Sequence, residues 1–219
     1  MQLNKKTNLI FVGPSDTIDL IKNAKILIKN KTYKNINILG YISKIKKNSF
    51  PYKNYRFLGK DSFLRKKVKN KTFFVNNVYS NQSRERLFKI AKTSNYLLVS
   101  VIFNDVLIFS NVKILSSNII YPRSIISTNA SLKFGNILSY NSLIGHDVKL
   151  GNFNFIGPGS KVLGEATIGN NCIIGSNVKI MPKVKIGNNV RINSGLTIHS
   201  DIKNNQSLIK SKEYRSIKN

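Results

Sequence analysis

Residues 143–174 read LIGHDVKLGNFNFIGPGSKVLGEATIGNNCII. An aliphatic side chain returns there at every sixth position: Ile144, Leu150, Ile156, Val162, Ile168 and Ile174. The same register runs back through Leu138, Leu132, Ile126, Ile120, Ile114 and Ile108 to Ile102, and forward through Ile180, Ile186 and Ile192 to Ile198. A second register lies four residues after the anchors and holds small or β-branched side chains, among them Ala130, Ser142, Val148, Ser160, Ala166, Cys172, Val178, Val184 and Val190. A third, one residue after the anchor, repeats glycine at 145, 151, 157, 169, 175 and 187. A fixed short period marks a repeat architecture. Each hexad reads as a short strand plus a corner, with glycine placed where the corner needs permissive backbone angles. Three hexads close one triangular turn. The anchors point into the prism, and backbone groups pair with the turns above and below. The ends of such a stack need cover, and the residues after Asp201 are the candidates.

The first hundred residues read differently. Leu9–Val12 is a strand, Gly13 to Asp16 a turn, and Thr17 to Ile28 a helix on the spacing of Ile18, Ile21, Ala24 and Leu27. Asn37–Gly40 is a second strand and Phe73–Val78 a third. Ser83–Ala91 is a helix, and Tyr96–Val101 a strand feeding the first hexad. Alternating strands and helices predict a small parallel sheet. A strand, tight turn and helix make a phosphate site when N–H groups are free at the helix start. Here the turn has one glycine, Pro14 removes a donor and Asp16 adds negative charge, so a plain helix cap by Ser15 or Asp16 is the competing reading.

Composition narrows the function. The 219 residues carry 36 Lys+Arg against 9 Asp+Glu, a net charge of +27. Residues 1–100 hold 22 basic and 4 acidic side chains. That excess, with 30 Asn and 30 Ile, fits a coding bias or an attraction to anions such as nucleotide sugars, coenzyme phosphates or nucleic acid. No run alternates basic with stacking aromatic residues, so no specific nucleic-acid role is expected. One cysteine, Cys172, and two histidines exclude a disulfide framework and a cysteine- or histidine-built zinc centre, and no metal is expected. No long apolar run and no signal peptide are seen, so the expected location is cytoplasmic and no transmembrane segment is expected.

The repeat resembles the hexapeptide-repeat acyltransferases, whose fold is a left-handed parallel β-helix. A preceding α/β domain of about 100 residues resembles one group of them. These are the sugar acetyltransferases of the sialic acid O-acetyltransferase, bacillosamine-pathway and perosamine N-acetyltransferase type. The resemblance implies a Rossmann-like sugar-nucleotide-binding domain over 1–100, a left-handed β-helix acyltransferase domain over 101–202, and a C-terminal cap or tail over 203–219. It implies a homotrimer with sites between subunits, acetyl-CoA as acyl donor and a nucleotide-linked amino sugar as acceptor. Of the family's glycine-rich loop, Gly13 and Ser15 remain. Gly40 and Tyr41 replace its acidic pair, and Asn81 and Arg84 keep its later Asn-x-x-Arg loop. All six are implied substrate-binding residues.

His146 carries the expected chemistry. It lies two residues after the anchor Ile144, so its side chain faces outward at a corner. The resemblance places a histidine followed by an acid at this point, just before Leu150-Gly151-Asn152-Phe153. A base of near-neutral pKa takes the proton of an amine or hydroxyl attacking a thioester, and Asp147 beside it stabilises the imidazolium. Phe155 stands where the family has a second histidine near the coenzyme, and Gly164 is a candidate oxyanion donor. Ser176 and Ser194, the latter in an altered glycine-rich corner, complete the implied coenzyme A set. Cys172 fills the core, and His199 is a surface residue. The expected function is acetyl-CoA-dependent N-acetylation of a nucleotide-linked amino sugar for a surface glycan. The alternatives are O-acetylation by the same base, or an inactive hexapeptide binding or scaffold protein.

Overall fold

The computed structural model describes residues 7–14, 16–28, 31–33, 36–47, 52–68 and 71–209. The chain opens with β1 (Thr7–Val12) and α1 (Asp16–Lys22), followed by β2 (Ala24–Ile28), β3 (Lys31–Tyr33), β4 (Ile36–Ile42) and β5 (Phe57–Gly59). Next come β6 (Thr72–Asn76), α2 (Asn81–Thr93), β7 (Leu97–Leu98) and β8 (Ser100–Phe103). An all-parallel sheet of order β5-β4-β1-β6-β7 forms the N-terminal domain.

The expected helix over 17–28 is half right. It stops at Lys22, and residues 24–28 form β2. Short helices gain little from backbone bonds alone. The run from Ala24 to Leu27 instead pairs antiparallel with β8, Ala24 opposite Phe103 and Leu27 opposite Ser100. That hairpin of β2 and β3 covers the starting edge of one β-helix face. The expected last strand of the domain also splits in two, β7 in the parallel sheet and β8 in the β-helix.

From β8 onward the chain is a triangular parallel β-helix with two-residue strands on three faces. The first face runs from β8 through Ile119–Ile120, Ile137–Leu138, Phe155–Ile156, Ile173–Ile174 and Arg191–Ile192 to Ser207–Leu208. The second starts at Leu107–Ile108 and the third at Lys113–Ile114. Register partners differ by three hexads, as in Ile126 opposite Ile144 and Ile144 opposite Val162. The anchors from Ile120 to Ile198 are buried in one core. Ile108 is 42 % exposed, because no coil lies beneath the first one among the described residues. At the far end the last coil is shortened: Ile202 bridges Ile186 and Ser207 pairs with Arg191. These residues extend the helix rather than cover it, and those after 209 lie outside the described residues.

Each corner has one residue in the left-handed region, three after the anchor, at every sixth position from Asn111 to Gly195. Asparagine tolerates that conformation better than other non-glycine residues. It fills the position at 111, 129, 141, 171, 177 and 189. Part of the asparagine excess is therefore structural. The repeating glycines serve a different purpose from the one expected: they have ordinary φ and are needed for space. A Cβ on Gly151 would sit 2.3 Å from the Gly169 carbonyl oxygen of the next coil.

Inside the prism the small positions carry polar ladders. Asn118 Oδ1 accepts from the Asn136 N–H at 2.9 Å, Asn136 Oδ1 from Asn154 N–H at 2.9 Å, and Asn154 Oδ1 from Cys172 N–H at 2.8 Å. The ladder satisfies backbone donors that the corner would otherwise leave buried and unpaired. Cys172 ends it as core filling: its Sγ lies 3.0 Å from the Gly187 carbonyl oxygen, and burial pushes its thiol up to about 11. An Ile144→Ala variant should lose about 2–5 kcal/mol, and Ile108→Ala under about 1 kcal/mol. Urea unfolding of the two variants checks the contrast.

Candidate active site

His146 and Asp147 occupy the corner between the second and third faces. Asp147 is the left-handed residue of that corner, φ 58°. Its backbone N–H donates to the Thr128 carbonyl at 3.0 Å, and the His146 carbonyl accepts from Glu165 N–H at 2.8 Å. Both backbones are thus fixed to neighbouring coils while both side chains stay about half exposed. His146 Nδ1 lies 2.9 Å from Asp147 Oδ2, and Asn129 Nδ2 donates to the other carboxylate oxygen at 3.1 Å. These bonds, the one to His146 first, hold the Asp147 carboxyl below its usual range. An ionised carboxylate accepts only, so in the neutral ring this contact assigns the proton to Nδ1 and the lone pair to Nε2.

The other side of the ring explains a glycine. A Cβ at Gly164, one coil on, would fall 2.3 Å from His146 Nε2 and 2.6 Å from Cε1. The imidazole lies over the bare Cα of Gly164. The geometry thus makes Gly164 the floor of the histidine. Glu165, beside it, sits 3.9 Å from Lys183 Nζ.

The remaining expected residues do not converge on this corner. Ser176 and Ser194 lie together at the corner between the first and second faces, where Ser194 Oγ accepts from Ser176 N–H at 3.0 Å. Phe155 lies outward on the first face, its ring edge-on to Tyr79 at 5.7 Å. His199 is exposed. Within one chain the implied coenzyme set is therefore spread over three places.

The implied substrate-binding residues are likewise dispersed. Arg84 is fully buried and is committed to the protein. Its Nε donates to the Gly135 carbonyl at 2.7 Å, Nη1 to Val78 at 2.6 Å and Tyr79 at 3.1 Å, and Nη2 to Phe153 at 2.9 Å and Asn154 at 3.2 Å. Nη2 also reaches Asn81 Oδ1 at 2.8 Å, and Asn81 Nδ2 donates to the Cys172 carbonyl at 3.1 Å. The pair therefore fastens α2 to the β-helix. Burial pushes the guanidinium down to about 9, and its charge is spread over carbonyl dipoles. An aromatic wedge completes the joint: Phe153, held at φ 55°, meets Phe88 of α2 edge-on at 5.3 Å. Tyr41 is also buried, in contact with Phe11, Tyr52 and Phe57. Gly40 gives room for close approach of a strand, since its Cβ would meet the Arg56 carbonyl oxygen at 2.2 Å. Ser15 lies outside the described residues.

Among the described residues of that set, Gly13 alone borders open space. A cleft of about 280 Å³ lies at the carboxyl ends of β1, β4 and β6 and beside the first turns of α2. It is lined by Gly13, Lys44, Lys47, Asp61, Asn77 and Arg86, among others. Arg86 and Asp61 form an ion pair on its wall. Asn77 is fully buried, and its Nδ2 donates to Thr17 Oγ1 at 3.0 Å and to the Tyr121 hydroxyl at 2.8 Å. Its Oδ1 has no hydrogen-bond partner among the described residues. Sequence reasoning missed Lys44, Lys47, Asn77 and Arg86; position after β4 and β6 was the available signal.

Comparison with known proteins places the fold in a class. The bacterial transferase hexapeptide family (six repeats) matches residues 165–200, so the chain carries that repeat. Its fold is the left-handed parallel β-helix with an N-terminal domain. The acetyltransferase domain of PglB from Neisseria gonorrhoeae, solved with acetyl coenzyme A, is 18 % identical with a TM-score of 0.78, covering 93 % of this chain and 96 % of that one. PerB from Caulobacter crescentus, solved with CoA and GDP-perosamine, is 16 % identical with a TM-score of 0.79 over 94 % and 95 % of the two chains. WeeI from Acinetobacter baumannii is 14 % identical with a TM-score of 0.75 over 94 % and 97 %. No curated relative matches the sequence itself. Among the described residues no helix is long and apolar enough to cross a membrane.

An Arg84→Met variant should lose about 3–5 kcal/mol in denaturant unfolding, because it strands several buried carbonyl groups. Arg84→Lys should recover only a small part, since an ammonium cannot reach three directions in one plane.

Proposed function

We propose that the chain is an acetyl-CoA-dependent acetyltransferase acting on an amino group of a nucleotide-linked amino sugar, for a surface glycan, with His146 as general base. The observation that carries this reading is the His146–Asp147 pair with its bare Nε2, exposed on a corner of this fold. The likeness to acetyltransferase structures over nearly the whole chain supports it.

In this reading the neutral amine attacks the thioester carbonyl carbon. Nε2 takes the proton that the amine loses, and Asp147 stabilises the resulting imidazolium. The tetrahedral intermediate then collapses, breaking the carbon–sulfur bond. His146 returns the proton to the departing thiolate, leaving the amide and coenzyme A. The Gly164 corner supplies the floor that keeps the ring in place, and a nearby backbone N–H serves the oxyanion.

The N-terminal domain is Rossmann-like in this account. Its strand order reverses at β1, and such a switch point is where a parallel sheet binds a nucleotide. The cleft there holds the nucleotide part of the acceptor. The enzyme works as a homotrimer. Leu107, Ile125 and Leu143 form an outward apolar column in register on the second face, beside the His146 corner, which suits a second copy. A second copy would also bring a Ser176–Ser194 corner toward a His146 corner, gathering the coenzyme set that one chain disperses.

The test mixes the protein with acetyl-CoA and UDP- or GDP-linked amino sugars and follows thiol release. Release should depend on one sugar and fall by roughly 10²–10⁴-fold in His146→Ala. A full-rate His146→Ala variant contradicts the base assignment. No release by the parent chain with any sugar favours the scaffold reading, which Phe155 in place of a coenzyme-side histidine would suit. Gly164→Ala should cost on the order of tenfold to a hundredfold in kcat by displacing the ring, with its melting temperature nearly unchanged. Asp147→Asn should lower kcat, because the imidazolium formed during transfer loses its carboxylate partner.

A further inference from the structure

Among the described residues the turn beside Gly13 offers few free backbone donors to an anion. The turn has one glycine, Pro14 contributes no N–H, and Thr17 N–H is already bonded to the Pro14 carbonyl at 3.1 Å. The end of β4 is also unusual for a nucleotide site. An acidic side chain there commonly bonds a ribose diol, whereas residues 43–47 read Ser-Lys-Ile-Lys-Lys.

One of those lysines is held by buried groups. The Tyr41 hydroxyl accepts from Lys47 N–H at 2.9 Å and donates to the Lys47 carbonyl at 3.1 Å. Lys47 Nζ donates to the Tyr52 hydroxyl at 3.1 Å and lies 4.2 Å from the centre of that ring. The Tyr52 hydroxyl in turn donates to the Gly13 carbonyl at 2.6 Å. Two tyrosines, both nearly fully buried, thus place Lys47 at the mouth of the β1 turn: Tyr41 holds its backbone and Tyr52 its ammonium. No carboxylate pairs with it among the described residues. Partial burial lowers its pKa from the usual lysine value. The cleft lining adds Lys44, while its one acid, Asp61, is already paired with Arg86, so the cleft carries net positive charge that suits an anionic ligand.

We infer that Lys47, positioned by Tyr41 and Tyr52, is the residue that binds the diphosphate of the nucleotide-linked sugar, beside a turn in which Pro14 has no N–H and Thr17 N–H is already bonded. This rests on the nucleotide reading of the cleft given above. Lys47 is the binding residue, and Tyr41 and Tyr52 act through it.

Calorimetric titration of UDP, GDP, uridine and guanosine into the full chain tests this, alongside Lys47→Met and Tyr52→Phe variants. The parent should bind at least one diphosphate more tightly than its nucleoside. Lys47→Met should lose roughly tenfold to a hundredfold for that diphosphate and leave the nucleoside's affinity unchanged. Tyr52→Phe keeps the ring and removes the hydroxyl, so it should lose a smaller part of the same diphosphate preference. An unchanged diphosphate affinity in Lys47→Met, or an equal loss for nucleoside and diphosphate, overturns the assignment while the nucleotide cleft stands. Equal parent affinity for nucleoside and diphosphate also overturns it. No binding of any nucleotide by the parent overturns the cleft reading, and this inference with it.

Discussion

The constraint on which the structure depends is the left-handed residue at each corner of the coil. A chain that must turn after every two-residue strand, and return in register three hexads later, has few backbone solutions. One αL residue per hexad, from Asn111 to Gly195, is the solution here. It aligns the N–H and C=O groups of each strand with the next coil, as in Gly145 N–H to the Val162 carbonyl at 2.7 Å. The aliphatic anchors then stack into one continuous core. The same constraint builds the candidate site. Asp147 is the αL residue of its corner, and its neighbour His146 is thereby set beside both its own carboxylate and the bare Gly164 of the next coil.

The two parts of the chain are joined by interactions of a different kind. The β-helix's first face buries Ile119 and Ile137 against Leu9, Phe11 and Ile18 of the N-terminal domain. On the other side of the parallel sheet, Phe88 and Ala91 of α2 pack with Phe153. Between these apolar contacts one buried guanidinium reads backbone carbonyls from both parts. Directional bonds of this sort specify an angle where apolar packing alone would permit several. The joint therefore fixes the cleft at the β1 switch point relative to the coil.

Much of this was legible in the sequence. The six-residue period determines the anchors, and the inward small positions follow from it; Cys172 fell where the pattern put it. The pairing of His146 with Asp147 was visible because adjacency in sequence is enough at a tight corner. What escaped was set by tertiary partners. Residues 24–28 have helical spacing, yet an open strand edge at β8 captures them. The repeated glycines look like turn residues, but the next coil's backbone is what excludes a Cβ. Arg84 and Asn81 sit in a loop pattern that points to a ligand, and only the fold shows their partners to be backbone carbonyls. Tyr41 likewise stands at the expected strand end but faces the core, where it serves Lys47.

The account turns on the protonation of one ring. The chain has only two histidines, and His199 is exposed, so a nitrogen-15 correlation spectrum of the imidazoles in the folded protein separates them readily. For neutral His146 the account predicts a proton on Nδ1 and a bare Nε2, with Asp147→Asn weakening that preference. A neutral His146 protonated on Nε2 would contradict it, because the lone pair would then point at Asp147 and away from any acceptor amine.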